Sequence, residues 1–279
     1  MGGAPPLACR PPGGVPGTTT RFAVLGDYGH AGNDEARVAA LIRRMRPDFV
    51  LTTGDNNYPS GEAATIDANI GQYFHDFICP YRGTYGVGAD QNRFFPALGN
   101  HDWYTENAAA YLDYFTLPGN ERYYDVVWGD VHVFVVDSYD AEPDGISSTS
   151  IQAAWLEAGL RASTARWQIV TMHHPPYSSS SMHGSSPTLR WPYSTWGADV
   201  VFAGHDHTYE RLEAEGIPYI VSGLGGRSIY GFGEQLPESR ARFNADVGAV
   251  FAEADHRRLI ARFFSAEGLL VDEVALGEQ

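Results

Sequence analysis

The chain contains no lysine. Its 19 basic residues are all arginine, against 34 aspartates and glutamates, and the net charge is −15 over 279 residues. Without lysine there is no Schiff-base chemistry, no lysine nucleophile and no Walker-type phosphate loop. The acidic surplus repels a nucleic-acid backbone, which disfavours general nucleic-acid binding. Cysteine is nearly absent: Cys9 and Cys79 are too few for a Cys-rich zinc site or a dense disulfide framework. One bond between them and two unrelated thiols are equally open. No run approaches the ~18 apolar residues of a membrane-spanning helix. The first twenty residues, rich in Pro, Gly and Thr, lack the apolar segment of a signal peptide and read as a flexible leader, residues 1–20.

What is present is an ordinary globular composition, 43% hydrophobic and 19% charged, which argues against disorder. From residue 21 onward there is no linker and no repeat. Residues 21–279 therefore read as a single domain of layered α/β type. Strand-like runs begin at Arg21, Asp48, Phe94, Trp167 and Val200. Helical patterns cover 33–45, with Asn33 as N-cap, and 65–78 and 150–162. Gly129-Asp130 marks a hairpin between 123–128 and 131–136, and a terminal meander covers 247–252, 259–264 and 269–276.

Five of the strand-like runs end in a residue able to bind metal: Asp27, Asp55, Asn100, His173 and His205. Strand C-terminal ends are where α/β folds build their sites. A single Gly-Asp or Gly-Asn is an ordinary turn dipeptide, but core packing does not predict Asp, Asn or His at all five ends. Tyr58 follows Asp55 by three residues, His101 adjoins Asn100, and His207 lies two beyond His205, where an extended segment points both imidazoles one way. The run Ser178–Ser181 lacks the Gly-x-Ser-x-Gly frame of a nucleophile elbow and reads as a mobile loop that places His183. Trp103, Tyr104 and Tyr209 follow these motifs, at the mouth of a site or in the core.

In this order, the blocks Gly26-Asp27, Gly54-Asp55 with Tyr58, Gly99-Asn100-His101, His173 and Gly204-His205-Asp206-His207 resemble the calcineurin-like metallophosphoesterase superfamily. Tyr58 makes them similar to its purple acid phosphatase branch, in the low-molecular-weight, tartrate-resistant form. The resemblance implies a two-sheet β-sandwich flanked by helices, in four layers, α/β/β/α, with a dimetal site at strand C-terminal ends. It implies that Asp27, Asp55, Tyr58 and His207 bind a first ion. Asp55, Asn100, His173 and His205 would bind a second, with Asp55 bridging. His101 and His183 would be the catalytic histidines that meet the phosphate and protonate the leaving group. Asn100, His101 and His183 would contact substrate, with His174 and Tyr177 at the rim.

The donor chemistry agrees with these implied roles. Three oxygen donors, a phenolate among them, with one imidazole suit Fe(III); oxygen with two imidazoles suits a divalent Zn, Mn or Fe ion. The expected reaction is hydrolysis of phosphate monoesters by a metal-activated hydroxide. The alternatives are a phosphodiesterase acting on cyclic nucleotides or phospholipid head groups and, more remotely, a non-catalytic binding protein on the same scaffold. The expected partner is a small phosphate ester, with no nucleic acid and no membrane span, and the chain is expected to be a monomer. The family resemblance favours a secreted or periplasmic protein over a cytoplasmic one.

Overall fold

Two mixed β-sheets lie face to face between helices, in a computed structural model that describes residues 9–278. The first sheet contains β1 (Thr20–Leu25), β2 (Phe49–Thr52) and β3 (Phe94–Pro96), which run parallel. It continues through the meander β11 (Gly248–Ala254), β12 (Arg258–Ser265) and β13 (Leu270–Gly277), which joins antiparallel at β1. The second sheet contains the hairpin β4 (Tyr124–Trp128) and β5 (Val131–Val135), then β6 (Trp167–Thr171) and β7 (Val200–Ala203). It is completed by β9 (Ile217–Ser222), β8 (Tyr209–Ala214) and β10 (Ser239–Phe243). Strands β5, β6, β7 and β9 run parallel.

Strands such as Phe49–Thr52 and Val200–Ala203 are buried at every position. This is the pattern of parallel strands covered on both faces. One face of each sheet packs on the other. Phe22 stacks on Phe49 within the first sheet, at 5.1 Å between ring centroids, and meets Phe202 of the second edge-on at 6.4 Å. The outer face of the first sheet is covered by the helix Asn33–Met45 and the helical stretch 63–77. The outer face of the second is covered by the helix Ile151–Ala162 and the turn Tyr193–Trp196. The four-layer α/β/β/α sandwich is therefore as expected.

Several boundaries differ from the sequence pattern. Asn33 is the first helical residue and Gly32 the N-cap. The amides that precede this helix are taken by other partners: Gly32 N–H donates to Tyr73 Oη at 3.0 Å and Ala31 N–H to Asn69 Oδ1 at 3.0 Å. Ser150, by contrast, does cap its helix, accepting from Ala153 N–H at 3.1 Å. The stretch 63–77 is not one regular helix but α, π and 3-10 turns in succession. Strand β8 begins two residues beyond His207, where the sequence pattern marks no strand.

The leader is attached to the body over its described part. Cys9 and Cys79 form a disulfide, Arg10 pairs with Asp90 at 2.6 Å, and Gln91 Nε2 donates to Pro11 O at 2.6 Å. Thr20 already belongs to β1; residues 1–8 of the leader lie outside the described residues. No helix among the described residues is long and apolar enough to cross a membrane.

Candidate metal centre

Parallel pairing brings the strand ends level. Leu25 pairs with Thr52 and Thr52 with Pro96, so the segments carrying Asp27, Asp55 and Asn100 leave the first sheet together. Thr171 pairs with Phe202 in the second sheet, and His173 and His205 follow. The two sets meet between the sheets at one end of the sandwich.

Glycine makes that meeting possible. A Cβ on Gly99 would overlap the Asp55 carboxylate and backbone. One on Gly204 would sit 2.6 Å from Asp27 Oδ2 and 2.5 Å from Thr53 Oγ1. The Gly of each motif is thus needed for close approach of a neighbouring motif, beyond any local turn. The side chains that follow are held in an unusual backbone: Asp27, Asp55 and His205 have φ of 56°, 53° and 67°. Non-glycine residues seldom adopt this region, and such strain concentrates at functional sites.

The donors converge closely. Donor atoms of Asp27, Asp55 and His173 all lie within 4.8 Å of one another, as do those of His173, His174 and His205. Tyr58 Oη donates to Asp55 Oδ2 at 2.8 Å and lies 3.2 Å from His207 Nε2. His207 Nε2 is 3.3 Å from Asp27 Oδ1. His173 Nε2 is 3.0 Å from Asn100 Oδ1, 3.4 Å from Asp55 Oδ1 and 3.2 Å from His205 Nδ1.

Outer partners aim these atoms. His173 Nδ1 donates to Thr53 O at 2.8 Å, which leaves Nε2 facing inward. His207 Nδ1 lies 2.7 Å from Ser228 Oγ, and Asn100 Nδ2 donates to Tyr104 Oη at 2.6 Å, turning Oδ1 toward the centre. Such supports fix ligand tautomer and orientation in metal sites.

The electrostatics fit cations. Asp27 is 0% exposed and Asp55 2%, yet among the described residues no arginine pairs with either. Burial, then the Asp55 carboxylate, pushes Asp27 well above the usual carboxylate range. Burial likewise pushes the Tyr58 phenol up, and the same two carboxylates add to it. Burial pulls His173 down to about 3 and His207 to about 4, and with help from neighbouring imidazoles it pulls His205 down strongly. Buried carboxylates facing neutral imidazoles are a costly arrangement without a cation and a good one with it. The donor set therefore fits metal ions.

Around this point is a cavity of about 320 Å³. Two larger surface hollows, about 510 and 620 Å³, lie against Arg37 and beside His132. Neither gathers buried acceptors, so the smaller cavity is the functional candidate. His101 lies on its Tyr58 side, with ring centroids 4.3 Å apart, and donates its backbone N–H to Asp55 Oδ1 at 3.0 Å. His183 lies on the His205 side, stacked at 4.0 Å. His174 also lines the cavity.

Tyr177 does not reach it. This residue is buried, with its ring 4.9 Å from Tyr219 and under the Arg190 guanidinium, so the rim expectation is corrected: its place is in the second core. Tyr104 stands at the mouth, whereas Trp103 is buried and donates to Asp137 at 2.9 Å. Tyr209 is also buried, stacked on Phe263 at 4.2 Å.

The Ser178–Ser181 run is firmly tied rather than loose. Buried Asp206 accepts from Ser178 Oγ at 2.6 Å, His183 N–H at 3.3 Å and Gly184 N–H at 3.1 Å. Buried Glu210 accepts from Ser179 N–H and Oγ, each at 2.6 Å, and Gly233 N–H donates to Ser179 O at 2.7 Å. Asp206, between His205 and His207, thus points away from the cavity and supports the loop that carries His183. Sequence reasoning also passed over Ser138, whose Oγ accepts from His173 N–H at 3.2 Å and His174 N–H at 2.8 Å. The available signal was the strand-end rule itself: β5 ends at Val135 and is followed by Val136-Asp137-Ser138.

Comparison with known proteins follows the same lines. The family model described as calcineurin-like phosphoesterase matches residues 20–209. Purple acid phosphatase 17 of Arabidopsis thaliana is 29% identical over 248 residues, covering 75% of this chain and 69% of that protein. Tartrate-resistant acid phosphatase type 5 of Mus musculus is 25% identical over 251 residues, covering 76% of this chain and 74% of that protein. A purple acid phosphatase structure from yellow lupin, Lupinus luteus, shares the fold with a TM-score of 0.77 at 19% identity; the match covers 94% of this chain and 55% of that one.

Proposed function

This chain belongs to the calcineurin-like phosphoesterase family, and from that membership we propose that it is a dinuclear-metal phosphatase acting on phosphate monoesters. One observation carries the reading. Two buried carboxylates, a phenol, an amide oxygen and three imidazoles converge from the ends of five strands, and among the described residues no arginine forms an ion pair with either carboxylate.

Asp27, Asp55, Tyr58 and His207 would hold one ion and Asp55, Asn100, His173 and His205 the other, with Asp55 shared. The oxygen-rich first set suits Fe(III), and the second suits a divalent Zn, Mn or Fe ion. Bound there, two cations neutralise the ester oxygens and lower the pKa of water to the working range.

The chain's own residues do the rest. His101 and His183 border the cavity and would meet the phosphoryl oxygens and hold the proton that the leaving oxygen takes. The His101 Nδ1–H donates to Pro59 O, which leaves Nε2 facing the cavity, 3.9 Å from Asp55. Asp206 and Glu210 keep the His183 loop in place. Because both sheets supply donors, residues 21–279 act as one catalytic unit. The Cys9–Cys79 disulfide suits an oxidising compartment and supports a secreted or periplasmic location.

The test compares 4-nitrophenyl phosphate with bis-4-nitrophenyl phosphate, with metal content measured on the same samples. Monoester hydrolysis that tracks metal content supports the reading. Preference for the diester would move the chain to the phosphodiesterase alternative, and hydrolysis of neither by a metal-loaded sample would contradict catalysis.

A further inference from the structure

Five histidines line the metal-centre cavity, and His174 is the one with no part in holding an ion or moving the proton. Its ring lies 4.3 Å from that of His205 and 4.9 Å from that of His173. Tyr139 lies nearly parallel to it, 16° between planes at 6.2 Å, and so limits its tilt. Donor atoms of His173, His174 and His205 all lie within 4.8 Å of one another, so position alone would allow His174 to be a further ligand.

Its hydrogen bonds decide otherwise. The buried hydroxyl of Ser138 has one proton and two lone pairs. The lone pairs accept from His173 N–H at 3.2 Å and His174 N–H at 2.8 Å. The third contact of Oγ is His174 Nδ1 at 2.9 Å, and only the hydroxyl proton is left to make it. Nδ1 is therefore the acceptor, and the neutral ring carries its proton on Nε2. Nδ1 has committed its lone pair to Ser138, and a protonated Nε2 has none in the ring plane to give, so neither nitrogen is free for a cation. What the ring offers the cavity is an N–H donor.

We propose that His174 is an oxyanion-binding residue: Ser138 fixes it as a neutral Nε2–H donor, and that N–H binds a phosphoryl oxygen seated at the metal centre. The inference rests on the phosphatase reading and assigns one more contact to the same site. A donor fixed in this way has no proton to spare, because releasing the one on Nε2 would leave an imidazolate. His174 thus holds the oxyanion and leaves the leaving-group proton to His101 and His183. It acts on bound substrate and bound transition state alike, so its loss should raise KM more than it lowers kcat.

The tautomer and the binding can both be read without turnover, on the full chain loaded with zinc. Two-bond proton–nitrogen correlation spectra of the isotope-labelled protein tell the two neutral tautomers apart, and the His174 signals are those that vanish in His174→Gln. The expected pattern is a proton on Nε2, with its resonance moving downfield when tungstate is added. In Ser138→Ala the Nδ1–H form should appear beside it. Tungstate binding, measured by calorimetry, should weaken about tenfold in His174→Ala and less in His174→Gln, whose amide is still a donor. It should not change in His256→Ala, an exposed histidine outside the cavity. Both His174 variants should keep the zinc content of the unaltered protein. A proton on Nδ1 in the unaltered protein, a zinc-bound Nε2, loss of an ion in His174→Ala, or tungstate binding that His174→Ala leaves unchanged would each overturn the proposal. If the tautomer and the tungstate effect hold while 4-nitrophenyl phosphate is not hydrolysed, the phosphatase reading fails and the oxyanion assignment stands. If hydrolysis is robust and tungstate binding is indifferent to His174, the reverse is true.

Discussion

The two sheets bring different chemistry to the same point. The first contributes oxygen: two carboxylates, the Tyr58 phenol and the Asn100 amide. The second contributes nitrogen: His173, His205 and His207, with His183 above them. The oxygen donors are tightly framed by local structure, with glycines beside them and left-handed backbone at Asp27 and Asp55. The nitrogen side depends on partners distant in sequence, since Asp206 and Glu210 hold a loop more than twenty residues away. The ligands at the strand ends of both sheets are fixed by the fold, and the loop that carries His183 is fixed by the buried carboxylates behind it.

That contrast can be broken at its strongest point. Asp55 belongs to both halves, so Asp55→Asn should remove both ions and lower turnover on 4-nitrophenyl phosphate by about a thousandfold or more. Metal analysis beside the assay checks both parts. A next, smaller effect isolates the nitrogen side. His183→Ala should cost about a hundredfold in turnover with both ions retained, and Asp206→Asn about tenfold. If Asp206 acts through His183, the double variant should be no worse than His183→Ala alone, and a double-variant cycle measures this. Additive losses would show that Asp206 does something else.

The glycine frame of the oxygen side predicts a packing defect. Gly99→Ala should force the Asp55 segment to move, weaken metal retention on dialysis and lower stability by about 1–3 kcal/mol. The smallest effect on catalysis should come from a change remote from both halves. Replacing Cys9 and Cys79 by Ser opens a loop with a sequence separation of 70. Denaturant unfolding should show a loss of about 4 kcal/mol, with turnover at room temperature nearly unchanged.

The same contrast explains what was legible in the sequence. The strand-end residues could be read because a buried run followed by Gly-Asp or Gly-Asn is a local pattern. The layered fold followed from those runs and the helical periods between them. Asn33 as N-cap failed because the helix begins one residue earlier: Ala36 N–H donates to Gly32 O at 3.1 Å, which puts Asn33 already inside the first turn. Tyr177 failed for a related reason: proximity in sequence to His174 does not say which face of a loop an aromatic ring takes, and Tyr219 and Arg190 hold it in the core. The Ser178–Ser181 loop looked loose because its restraints, Asp206 inside the histidine motif and Glu210 three residues beyond it, are far along the chain and carry no local signal.

Oxygen and nitrogen donors from the two sheets are expected to hold two metal ions around a shared Asp55. The metal content of the purified protein, taken with its visible absorption spectrum, tests it most directly. Two ions per chain, one of them iron, with a visible band that disappears in Tyr58→Phe, is the predicted result. A protein that retains at most one ion per chain after loading with iron and zinc would contradict it.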